Sequence, residues 1–165
     1  MTYNGLLSTF PSEVKLFIGA FVVILSIGFY TGLLFINETT EAKPAAITEN
    51  YLGNEEDENA DVMKFKKSKR EMLTTVHTHI LSMSFIFFLL GVLVWLTKLP
   101  KKLKLFLTME PFLSVLLTFG GIYVLWCGIL WMKYVIMISG ILMTTTFTAS
   151  VMLVLYQLCK KQTTA

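Results

Sequence analysis

Charge is scarce in this sequence, and it is unevenly spread. Only 15% of the 165 residues are Asp, Glu, Lys or Arg, against about a quarter in a soluble domain. Histidine occurs twice, at His77 and His79, and cysteine twice, at Cys127 and Cys159. The chain lacks a zinc motif, a phosphate-binding glycine loop, a nucleophile triad and a basic nucleic-acid patch. It also lacks the alternating oxygen ligands and glycine turn of a calcium loop. These absences argue against nucleic acid as a partner and leave no catalytic constellation to assign.

What is present is apolar length. The composition is 55% hydrophobic with a mean hydropathy of +0.66. Residues 13–36, 71–96, 107–131 and 133–158 form four apolar stretches, each reaching the roughly 20 residues that a helix needs to cross a bilayer. The expected fold class is all-α: a polytopic integral membrane protein, one membrane domain forming a four-transmembrane-helix bundle that runs up and down. The first stretch is too long for the apolar core of a signal peptide and has no basic segment before it. Ser12 reads as its N-cap, with Glu13 in the first turn.

The polar segment, residues 37–70, has an acidic half and a basic half. Pro44, Gly53 and the run Glu55-Glu56-Asp57-Glu58 argue against one continuous helix. Residues 47–53 are expected to form a short interfacial turn anchored by Tyr51 and Leu52. Lys64 to Arg70 are expected to lead helically into the second span. Lys and Arg tie at seven on each side of the membrane. Compact basic loops orient a protein better than long mixed ones. The 98–104 loop, with its four lysines, therefore places itself and both termini in the cytoplasm.

Close packing is expected at glycines. Gly28 and Gly32 make a small-xxx-small strip on the first helix, and Gly120, Gly121 and Gly140 offer similar sites further on. Such strips suit other membrane-protein subunits or self-association as well as neighbours in the chain. Cys127 and Cys159 fall at opposite membrane ends, which excludes a bridge between them.

An ionisable residue inside a span is costly and marks a functional site by default. A wheel of about 100° per residue puts Glu71, Thr75, Thr78, His79 and Ser82 on one face of the second helix and His77 on another. That polar face is expected to turn inward, with Glu71 pairing with His79. Lys133 opens the fourth helix at the same membrane end. The candidate functional cluster is thus Glu71, Thr75, His77, His79, Ser82 and Lys133. Residues two apart on a helix point about 200° away from each other, so the two histidines do not share a metal ion. Haem b, bound through His79 with a methionine such as Met137 or a second His79, and quinone, bonded to the imidazole, are the candidate cofactors.

Tyr51-Leu52-Gly53-Asn54, Met63-Lys64-Phe65-Lys66-Lys67-Ser68, Glu71-Met72-Leu73 and His77-Thr78-His79-Ile80-Leu81-Ser82-Met83 follow one another in order. This pattern resembles small uncharacterised bacterial four-helix inner-membrane proteins with a His-x-His motif at the start of the second span. The resemblance covers roughly residues 48–130. It implies a bacterial inner-membrane location, sometimes in respiratory settings, and supplies no reaction. The expected role is a subunit or accessory factor of a larger membrane assembly, a respiratory electron-transfer complex. A haem- or quinone-binding redox carrier and a small channel or transporter component are the alternatives.

Overall fold

A computed structural model describes residues 4–40, 43–55 and 62–160, and within these the chain is helical with no strand. Helix α1 spans Ser12–Thr40. Helix α2, Pro44–Leu52, starts with proline in its first turn, where a missing N–H costs nothing. It ends at Gly53, whose φ is 83°. A Cβ there would lie 2.8 Å from the Lys64 carbonyl oxygen and the Lys66 nitrogen, so the turn requires glycine. Helix α3, Lys69–Leu96, opens on a capping box: Ser68 accepts from the Glu71 N–H and Glu71 accepts from the Ser68 N–H, satisfying two end donors reciprocally. Helix α4, Lys101–Val115, passes through a π turn at Leu116–Gly120 into α5, Gly121–Trp126. Gly128, with φ 108°, turns the chain back into α6, Met132–Cys159.

Four helical stretches are long and apolar enough to cross a membrane: Ser12–Glu38, Lys69–Leu96, Lys101–Trp126 and Met132–Cys159. The protein is an all-α, multi-pass membrane protein. The third span sits about one and a half turns earlier than residues 107–131. Lys101 and Lys102 are exposed in its first turn, where long stems carry ammonium groups outward, and the left-handed Gly128 stops the helix before Trp131. Lys64 to Ser68 are not helical, contrary to the expected helical lead-in. The Lys67 N–H bonds to the Tyr51 carbonyl at 3.1 Å and Asn54 N–H to the Lys64 carbonyl at 2.9 Å, so this stretch pairs with the end of α2 instead. The expected turn at 47–53 is the latter part of that nine-residue helix. Most of the acidic run, residues 56–61, lies outside the described residues.

The bundle is built around its third and fourth spans. Their most apolar windows are 56% and 39% buried, against 11% for α1 and 22% for α3. At the centre Phe147 is fully buried. It stacks on Phe29 at 3.8 Å and meets Phe87 edge-on at 6.1 Å, so one ring ties α6 to α1 and α3. Each end of the bundle is capped. On the terminal side Leu7 is buried and Gly5 N–H bonds to the Thr97 carbonyl at 3.2 Å. There Gln157 Oε1 also accepts from the Lys98 N–H at 2.6 Å. On the other side Trp126 donates its indole N–H to the Lys67 carbonyl at 2.7 Å.

Candidate functional site within the spans

Ten residues separate Lys69 from His79, so the imidazole sits about 15 Å along α3 from its start. The ring nitrogen Nδ1 lies 2.8 Å from the Thr75 carbonyl. A carbonyl only accepts, so Nδ1 carries the proton of that bond, and Nε2 is the nitrogen left for a partner. The ring stacks on Phe119 of the π turn, 4.7 Å between centroids. His79, Thr78 and Ser82 are exposed on the outside of the bundle, and Thr75 is half-buried. The face expected to turn inward is therefore divided in this chain: Thr78 and Ser82 are exposed, while Thr75 and Ile86 are half-buried and the His79 ring packs on buried Phe119. The Ser82 hydroxyl bonds back to the His79 carbonyl at 3.4 Å, a local arrangement common for hydroxyls in spans. His77 is exposed as well.

Glu71 does not reach His79. Its carboxylate accepts from the Ser68 N–H and hydroxyl at 2.8 and 2.7 Å. Lys133 lies over the ring of its neighbour Tyr134, 5.4 Å from the centroid. Among the described residues no hydrogen bond or ion pair joins Glu71, His79 and Lys133. The glycines divide in the same way. A Cβ on Gly121 would meet Ile136 at 3.0 Å and Met132 at 3.1 Å, whereas Gly28, Gly32 and Gly140 have nothing within 4 Å and Gly120 meets only Leu116 of its own turn. Gly121 is the packing glycine. A Cβ on Gly91 would meet Thr108 at 3.4 Å, ordinary contact that brings α3 against α4.

The buried charged groups belong to α4, and buried hydroxyls and Gln157 of α6 add to them. Lys104, expected in an exposed basic loop, is buried. Its ammonium donates to Asn4 Oδ1 at 3.0 Å and to the Trp95 carbonyl at 2.7 Å. The Thr108 hydroxyl donates to the Lys104 carbonyl at 2.8 Å. Glu110 is 8% exposed; its Oε1 accepts a short hydrogen bond from Ser114, and its Oε2 is buried with no partner. One turn beyond Ser114, Thr118 bonds to Ser139 of α6 at 2.7 Å. Glu110 has a plain signal in the sequence: a lone acid, followed by proline, inside the third apolar stretch. A reading centred on the histidines passes over it.

A family described as a transmembrane helical domain matches residues 41–165. The chain belongs to that family. The match takes in α2 and the last three spans and leaves α1 outside, in keeping with the small share of α1 that is buried. No curated protein and no solved structure matches the chain.

Proposed function

We propose that this protein is a non-enzymatic subunit or accessory factor that joins a larger membrane assembly through the outer face of α3. One observation carries the reading: Thr78, His79 and Ser82 are exposed in the middle of a span, His79 with one ring face on Phe119. Lipid offers such groups no hydrogen bonds, so a polar face turned outward needs a neighbouring helix. The Gly28–Gly32 strip of α1, with nothing packed on it in this chain, provides a second place for close helix approach. The resemblance to bacterial inner-membrane proteins directs the search for the partner to respiratory electron-transfer complexes, with the termini in the cytoplasm.

A second reading rests on His79 itself. With Nδ1 donating to the Thr75 carbonyl, the neutral ring presents Nε2 as a lone pair, the arrangement that ligates haem iron or accepts a hydrogen bond. A visible spectrum of the protein purified from its own membranes separates the two. The subunit reading expects no haem absorption. It also expects a photo-reactive residue at position 82 to cross-link to a defined membrane protein, and the cross-link to weaken in His79→Ala. A Soret band lost in His79→Ala would establish the redox carrier instead. Cross-linking to lipid alone would overturn the subunit reading.

A further inference from the structure

Helix α4 departs from regularity around its one acid. Pro111 follows Glu110 inside the helix. Proline has no N–H, so the Leu107 carbonyl, four residues back, loses its usual helical donor. Five residues further on, the helix changes to the π turn Leu116–Gly120, a device found mostly at functional positions. Glu110 stands just before the proline and Ser114 between the proline and the π turn, both buried.

Few groups of opposite charge surround it. On α3, residues 83–94 contain no titratable side chain, and on α6 residues 137–155 contain none. Lys104 lies on α4 itself, about 9 Å away along the axis, with its ammonium held by Asn4 and the Trp95 carbonyl. On α1 the titratable group within the span is Tyr30, whose hydroxyl is paired with Thr148 at 2.8 Å. A bare carboxylate in apolar surroundings costs many times more than a neutral acid. Hard metal cations take about six oxygens, while Glu110 and Ser114 together supply three. Among the described residues no cluster of His, Cys, Asp and Glu is placed to hold a metal. A proton needs one oxygen, and the partnerless Oε2 provides it.

We propose that Glu110 is an intramembrane proton-binding site. Oε2 takes a proton from the aqueous phase, the carboxylate becomes a neutral acid, and release returns the proton and restores the charge. Ser114 keeps the other oxygen fixed through both states. The hydroxyls of Thr118 and Ser139 extend the polar file toward the α2 end of the bundle. This site is independent of the outer face of α3, and its test does not involve a partner protein.

The test uses the full chain in liposomes and dicyclohexylcarbodiimide, a lipid-soluble reagent that adds to protonated carboxyls within the bilayer. Peptide mass spectrometry is expected to locate the label on Glu110, with labelling that falls as pH rises and is lost in Glu110→Gln. Sodium at constant pH and ionic strength is expected to leave the labelling unchanged. The infrared carbonyl band of a protonated acid should be present in the wild type and shift in Ser114→Ala. Because the wild-type measurements stand alone, a variant that fails to fold leaves the test intact. Absence of label on Glu110 at every pH, with no acid carbonyl band, would overturn the proposal. Protection by sodium would overturn the proton as the ligand and put an alkali ion in its place.

Discussion

The indole N–H of Trp126 donates to the backbone carbonyl of Lys67 across 2.7 Å, joining the end of α5 to the residues that lead into α3. Lys66 lies over the same ring, 5.2 Å from its centroid. One aromatic side chain thus holds the non-helical entry segment against the third span. Trp126→Phe keeps most of the apolar area and removes the bond, so it should cost about 1 kcal/mol. Hydrogen exchange should report faster opening of residues 64–68 while the amides of mid-α6 keep their protection. Equal loosening everywhere would mean that the bond serves the whole bundle rather than this segment.

The glycines give a paired prediction. At Gly121 an added Cβ would press on Ile136 and Met132 at 3.0 and 3.1 Å, so Gly121→Val should destabilise the monomer by roughly 1–3 kcal/mol through overpacking. Gly28→Val and Gly32→Val meet nothing within 4 Å and should leave monomer unfolding in detergent nearly unchanged. If the α1 strip seats another helix, the latter pair should instead weaken self-association or co-purification of a partner. Loss of monomer stability in both sets would contradict the packing described for α1.

Membrane orientation is open to a direct measurement with the native cysteines. Cys127 follows α5 and Cys159 ends α6, and both are free and exposed. They lie at opposite ends of the same span pair. A membrane-impermeant maleimide applied from outside should label Cys127 and spare Cys159. The reverse pattern would place the termini and the 98–104 loop outside.

The cap formed by α2 should respond to alkali. Burial raises the Tyr51 phenol above its ordinary value of 10.0, and a hydrogen bond with Asn50 opposes the shift only in part. The unfolded phenol therefore releases its proton first as pH rises. The contribution to stability is complete below pH 10 and is lost progressively above it, through the higher folded value. Thermal unfolding followed through the alkaline range should show a declining midpoint that flattens in Tyr51→Phe. A slope unchanged by that substitution would assign the effect to other groups.

Much of the fold is legible in the chain because bilayer crossing leaves little choice. Without water to satisfy the backbone, an apolar stretch of sufficient length forms a helix, and four such stretches specify four spans. Pro44, Gly53 and Ser68 also act locally, through a fixed φ, a left-handed turn and a cap, so the breaks around α2 follow from residue chemistry. Which face of each helix turns inward is a different kind of fact. A wheel groups Glu71, Thr75, His79 and Ser82, but α3 has apolar residues on nearly every side and so little to fix its rotation. Phe87 packs on Phe147 of α6 and Gly91 lies against Thr108 of α4, a rotation that leaves Thr78 and Ser82 exposed. Glu71 is drawn to Ser68 by a local bond, far from His79. The burial of Lys104 under Asn4 depends on a contact a hundred residues apart in sequence. The isolation of Glu110 depends on which neighbours α3 and α6 present to it. The sequence by itself determined the membrane helices and their punctuation, because those follow from the solvent and from neighbours along the chain. The tertiary structure alone decided which polar groups are enclosed and which are left exposed, because helix rotation is set by contacts between distant residues.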